Sequence, residues 1–83
     1  MAMLVEEVRM RIRYERFHKG IGSPAAECDL STRQAEKRFK ELKEDAKVGW
    51  VELVAETEDE GGYMEIIDTY DNTRAAMILS TII

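Results

Sequence analysis

A capped amphipathic helix is the feature that most constrains what this 83-residue chain can fold into. Ser31 and Gln34 have the spacing of a capping box, in which the serine hydroxyl accepts a hydrogen bond from the backbone N–H of Gln34. Apolar residues behind this cap recur at spacings of four, three and four, which is one stripe of a helix. The stripe consists of Ala35, Phe39, Leu42 and Ala46. The sequence therefore predicts a four-turn helix that ends at Gly49.

Alternating residues before and after this helix predict β-strands. Apolar and charged side chains alternate with a period of two from residue 8 to residue 15, which is typical of a half-buried strand. A turn cluster at residues 20–24 precedes a weaker expected strand at residues 26–30. Beyond the helix, alternation returns at residues 50–56 and 63–70, and Gly61 and Gly62 between these two runs indicate a hairpin.

The resulting order of strand, strand, helix, strand and strand predicts an α+β fold. A small antiparallel sheet with one helix packed on one face is the natural architecture for that order. A chain of this length supports one domain, and we assign residues 1–83 to it. The tail at residues 71–83 fits either a short helix capped by Thr73 or a last strand.

A winged-helix DNA-binding domain is the alternative interpretation. Residues 24–32 look like the turn of such a domain, provided that residues 4–17 form a helix, residues 24–28 form a short helix and the C-terminal hairpin forms the wing. The capped helix would then be the recognition helix, and its N-terminal side chains would face the major groove. These are Arg33, Gln34, Lys37 and Arg38. In this interpretation the chain would be a transcriptional regulator. The alternation at residues 8–15 and the net charge of −5 argue against it.

Charge is distributed unevenly along the chain. Residues 1–47 carry 11 basic and 9 acidic side chains, whereas residues 48–83 carry one arginine against eight carboxylates. An acidic half repels nucleic acid and attracts a basic surface. We therefore expect a protein or nucleoprotein partner with a basic surface.

No constellation typical of an active site is present in the sequence, so we expect no enzyme, no cofactor and no metal. The single histidine and single cysteine, His18 and Cys28, are too few for a four-ligand zinc site. One cysteine also fits a reducing compartment. No apolar run is long enough to span a bilayer, and no leader is visible. A cytoplasmic protein without membrane association is the expectation.

Two charged surfaces are candidates for binding a partner. The first is a basic stripe, Arg9, Arg11 and Arg13, which a strand would project from one face. It would bind phosphates or an acidic partner, or else pair across the sheet with Glu52 or Glu65. The second is the acidic and apolar hairpin, whose carboxylates would steer a basic partner while its apolar side chains supply buried contact. Its predicted partner-binding residues are Trp50, Glu52, Val54, Glu58, Asp59, Glu60, Tyr63, Glu65 and Ile67.

Apolar residues occur on both faces of the hairpin. The helix is expected to cover one face, with the residues Val51, Leu53, Met64 and Ile66. The other face needs a second cover, which the apolar tail residues could supply. These are Met77, Ile78, Leu79, Ile82 and Ile83. Otherwise this face would bind a partner or a second copy, so a homodimeric structural or scaffolding protein is a third interpretation.

Three segments resemble small α+β proteins encoded by phages and prophages. They are the strand at residues 11–15, the helix start at residues 35–39 and the run at residues 48–54, and the resemblance covers roughly residues 8–70. Several such proteins inhibit host defence, anti-CRISPR proteins among them, and act by binding a nucleoprotein complex. The resemblance implies an inhibitor or modulator of a host macromolecular complex and carries no catalytic residue with it.

Overall fold

The structure is a computed structural model that describes residues 9–56 and 64–82. Four strands form one antiparallel sheet in the order β2-β1-β3-β4. The elements are β1 (Arg9–His18), β2 (Ile21–Leu30), α1 (Thr32–Glu44), β3 (Val48–Glu56), β4 (Met64–Asp71) and α2 (Thr73–Ile82). The predicted α+β fold and its order of elements are confirmed, and the tail adds a second helix.

Helix α1 begins as its capping box predicts. The Ser31 hydroxyl accepts a hydrogen bond from Gln34 N at 3.1 Å, and Gln34 Oε1 accepts one from Ser31 N at 2.9 Å. The helix ends at Glu44, with Asp45 as its C-cap, and the side chain of Ala46 is exposed. The prediction that the helix continues to Gly49 was wrong, because the chain turns at Asp45 and enters β3.

The main core lies between α1 and one face of the sheet. Ile12 lies opposite Leu53 in the register of β1 and β3, and both side chains are buried. The core side chains are Met10, Ile12, Tyr14, Ala35, Phe39, Leu42, Val48, Val51, Leu53 and Ala55. Since residues 9–18 form a central strand and residues 24–28 lie within β2, the helices that the winged-helix alternative needs are contradicted.

Strand β2 is longer than its composition suggests. The predicted turn at residues 20–24 is confined to Lys19 and Gly20, both of which have positive φ. Gly22 and Pro24 already belong to the strand and pair with β1. A proline is tolerated there because β2 is an edge strand, which leaves one side of its backbone without a ladder partner.

Helix α2 packs against the other face of the sheet, where β1 ends and β3 begins. Thr73 Oγ1 donates a hydrogen bond to the carbonyl of Gly49 at 3.2 Å, and Gly20 N donates one to Ser80 Oγ at 3.0 Å. Ala76 and Ser80 are buried in this contact. The small side chains thus form the interface, and the apolar tail residues expected to do so are exposed: Met77, Ile78, Leu79 and Ile82.

The prediction of which hairpin residues α1 covers was partly wrong. Val51 and Leu53 lie in the core beneath α1, as predicted. Ile66 does not, because it pairs with Val54 on the α2 side of the sheet and is 52% exposed.

Candidate functional site

The predicted basic stripe forms ion pairs within the sheet. Arg9 Nε lies 2.7 Å from Asp29 Oδ1, Arg11 Nε lies 2.8 Å from Glu56 Oε1, and Arg13 Nη2 lies 2.9 Å from Glu52 Oε1. The pairing of Arg13 with Glu52 is one of the two cross-sheet contacts expected from the sequence. Three opposite charges balance the three arginines on this face, so it presents no net positive stripe to phosphates.

The predicted hairpin residues on β3 also make contacts inside the fold. Trp50 Nε1 donates a hydrogen bond to Glu15 Oε1 at 2.9 Å, and its side chain is half-buried. The Glu52 carboxylate is engaged by Arg13, and Val54 is fully buried. The structure therefore places Trp50, Glu52 and Val54 within the sheet, where each has a partner or cover of its own.

The predicted binding residues on β4 have the opposite placement. Glu65 and Ile67 are exposed, as are their neighbours Ile66 and Asp68. The register of β3 and β4 shifts here, since Leu53 pairs with Asp68 and Val54 pairs with Ile66. Ile67 is thus the extra residue of a β-bulge, which turns two consecutive isoleucines toward solvent. We call residues 65–68 the β4 edge.

The β4 edge is acidic as well as apolar. Within residues 9–56 and 64–82, neither Glu65 nor Asp68 has a salt bridge. Asp68 Oδ1 accepts a hydrogen bond of 2.8 Å from Thr69 N, and Asp71 Oδ1 accepts one of 2.9 Å from Thr73 N. The bond from the Thr73 backbone, together with a contact to the Thr73 side chain, lowers the pKa of Asp71 below its ordinary value. The negative charges at this strand are therefore not neutralised by arginines as those on β3 are.

Four predicted binding residues lie outside the described residues. They are Glu58, Asp59, Glu60 and Tyr63. In the sequence they connect β3 to β4 and so directly precede the β4 edge.

A polar network that the sequence did not suggest ties α1 to β1 and β2. Glu27 Oε2 accepts a hydrogen bond from Arg38 Nε at 2.9 Å and one from Tyr14 OH at 3.0 Å. The hydrogen bond to Glu27 raises the pKa of Arg38, whose guanidinium lies 5.9 Å from the centre of the Tyr14 ring. Arg38, a groove-facing residue in the DNA-binding alternative, is thus a structural residue. No spacing rule could find this pair, because the two residues belong to different elements.

In the part of the chain that the structure describes, no group of three or more histidine, cysteine, aspartate or glutamate residues could hold a metal ion. Neither of the two described helices has the length and apolar character needed to cross a membrane. Comparisons with protein families, curated proteins and solved structures found no match to this chain. The candidate site therefore rests on the geometry of the β4 edge.

Proposed function

We propose that this chain is a non-enzymatic binding protein that inhibits or modulates a host macromolecular complex by occupying its surface, as several of the small phage- and prophage-encoded proteins do to which the sequence was compared above. One observation carries the proposal. On a strand at the end of the sheet, the adjacent residues Ile66 and Ile67 are more than half exposed, and Glu65 and Asp68 flank them.

Among the described strands, none lies on the outer side of β4, and this supports binding to an extended segment of a partner. An edge strand offers unpaired backbone N–H and C=O groups to which another strand can add. The opposite edge, β2, contains Pro24, which has no backbone N–H to donate, whereas residues 64–71 contain neither proline nor lysine. The β4 edge is therefore the better of the two edges for adding a strand.

Charge favours a basic partner over self-association at this strand. Two antiparallel copies of β4 would bring the carboxylates of Glu65, Asp68 and Asp71 close to those of the other copy. A partner segment that alternates lysine or arginine with apolar residues would instead meet these carboxylates with opposite charge. Such complementarity mainly accelerates association and makes it sensitive to salt, while the isoleucines supply buried area.

A defence-inhibition assay tests this function. The chain is expressed in a panel of bacterial strains, each of which restricts a phage through one type of CRISPR nucleoprotein complex. We expect the wild-type chain to raise plaque counts in at least one strain and Glu65→Lys/Asp68→Lys to lose this effect. Glu36→Lys/Glu44→Lys is the matched control, because it makes the same charge change at exposed positions of α1.

Two outcomes would contradict the proposal. If the wild-type chain leaves plaque counts unchanged in every strain of the panel, the proposed anti-defence function is contradicted. Equal loss of the effect in the β4 variant and in the α1 control would show that net charge, and not the β4 edge, is what matters.

A further inference from the structure

Helix α2 is apolar on nearly all sides, but only its small residues face the sheet. Ala76 and Ser80 are buried, whereas Met77, Ile78 and Ile82 are exposed by 43, 51 and 74%. Its only charged residue is Arg74. A helix that is apolar all round is normally covered on all sides, but within residues 9–56 and 64–82 nothing covers this outward face.

We propose that a second copy of this chain covers this face, so that two α2 helices pack antiparallel across a two-fold axis. Arg74, Ile78 and Ile82 are spaced by four and form the outward stripe of α2. If the axis passes beside Ile78, this residue meets Ile78 of the second copy, and Arg74 lies opposite Ile82. Side chains in such i, i+4 rows form the ridges through which two helices contact each other.

The surface shape fits this symmetric arrangement. Two shallow depressions flank Ile78 on α2, one bordered by Asp71, Thr73 and Ala75, the other by Thr81 and Ile82. The antiparallel arrangement places Ile82 of each copy over the first depression of the other. Each copy thus supplies both the projecting side chain and the depression that receives it, which a two-fold interface requires.

The charge distribution selects a second copy as the occupant. The chain carries a net charge of −5, so two copies repel each other on average. Residues 73–82 contain no carboxylate and one arginine, so this repulsion is weakest at α2. The last turn of α2 contains no basic residue, and the antiparallel arrangement brings Arg74 of the other copy to its exposed carbonyl groups.

The available area predicts a weak dimer. From their exposed fractions, Met77, Ile78, Leu79 and Ile82 together expose roughly 400 Å², about half of the ~800 Å² per partner in a stable interface of standard size. Arg74, Ala75 and Thr81 at the border add to this area. We therefore expect a weak dimer whose population rises with concentration.

Sedimentation velocity between about 1 µM and about 500 µM tests the dimer directly. The wild-type chain should shift from monomer to dimer over this range, and Ile78→Glu should weaken the dimer at least about tenfold, because dimerisation would bury an unpaired carboxylate. Ile67→Glu is the matched control, since Ile67 is 53% exposed on β4, and it should dimerise like the wild type. Circular dichroism verifies that both variants fold.

Disulfide cross-linking tests the position of the axis. In a Cys28→Ser background, which removes the only native thiol, Ile78→Cys should oxidise to a covalent dimer because the two residues at position 78 face each other. Ala46→Cys, at an exposed position outside α2, should remain monomeric under the same conditions.

The proposal is overturned if the wild-type chain stays monomeric throughout the concentration range, if Ile78→Glu dimerises as the wild type does, or if position 78 cross-links no better than position 46. It does not depend on the proposed function, because Ile67→Glu perturbs the β4 edge and Ile78→Glu perturbs α2. Each variant therefore tests one surface and serves as the control for the other.

Discussion

The indole of Trp50 and the carboxylate of Glu15 join two neighbouring strands through a hydrogen bond of 2.9 Å. The same carboxylate lies over Gly22 of β2, in the space that a Cβ atom at position 22 would occupy. Three strands therefore meet at the side chain of Glu15. Trp50 is the only tryptophan of the chain, so its fluorescence reports on this contact.

Substitution of Gly22 by alanine is expected to displace the Glu15 carboxylate. Because this carboxylate ends a flexible side chain, it can move, and the free energy of unfolding should change by less than about 1 kcal/mol. The hydrogen bond to Trp50 should nevertheless be lost, so the fluorescence emission of Gly22→Ala should differ from that of the wild type. In a Glu15→Ala background the same substitution should leave the emission unchanged. An equal shift in both backgrounds would contradict the contact.

Gly49→Ala should be far more damaging, since the new methyl group would collide with the ring of Phe17 and approach the backbone of Thr73. Neither neighbour can move freely, because Phe17 is buried and Thr73 begins α2. We expect a loss of about 1–3 kcal/mol in the free energy of unfolding, measured by urea denaturation. Phe17→Leu/Gly49→Ala should lose less than the sum of the two single variants, and strict additivity would count against the collision.

The contact between Glu27 and Arg38 should stabilise the attachment of α1 to the sheet. Both side chains are about one-third exposed, so solvent screens their attraction, and we expect Glu27→Ala to cost only about 1 kcal/mol. Tyr14→Phe should cost a similar or smaller amount, because it removes one of the hydrogen bonds that Glu27 accepts. Thermal unfolding of Glu27→Ala, of Tyr14→Phe and of the double variant Tyr14→Phe/Glu27→Ala measures the coupling between Tyr14 and Glu27. Independent, additive losses would show that these groups do not form a network.

The carboxyl group of Asp71 should titrate below the ordinary value of 3.8. A pKa lowered by folding means that Asp71 stabilises the fold at pH values above its unfolded pKa. This contribution is lost as the pH falls through the lower, folded pKa. Carbon-detected NMR of the side-chain carboxyl measures both the value and its shift on substitution.

Two variants of Thr73 separate the causes of this shift. Thr73→Pro removes the backbone N–H that donates to Asp71, and proline is tolerated in the first turn of a helix. In the Thr73→Pro variant, the carboxyl group of Asp71 should titrate close to its ordinary pKa. Thr73→Ala keeps the N–H and should retain most of the shift. A normal pKa for Asp71 in the wild-type chain would refute the contact.

Local signals determined α1 and β1 from the sequence alone. The capping box at Ser31 is completed within four residues, and the alternation along β1 specifies which side chains enter the core. Such signals depend on neighbours along the chain, so no knowledge of the remaining fold is needed to interpret them.

Of the predicted partner-binding residues, Glu65 and Ile67 are exposed, whereas Trp50, Glu52 and Val54 are engaged within the sheet. The sequence could not separate these two groups, because all of them lie on strands with the same alternating pattern. Strand order decides between them: among the strands of residues 9–56 and 64–82, β3 has neighbours on both sides, whereas β4 has a neighbour on one side.

The sequence by itself thus determined the α+β class, the first strand and the start of the capped helix. Only the tertiary structure decided that β2 accommodates Pro24 as an edge strand and that α2 turns its small residues toward the sheet. The reason is close approach between α2 and the backbone of the sheet: Thr73 donates a hydrogen bond to the Gly49 carbonyl, Gly20 N donates one to Ser80, and Ala76 and Ser80 are the buried side chains of α2. Steric fit between distant segments therefore left the isoleucines of α2 facing outward, whereas hydrophobicity alone would have buried them.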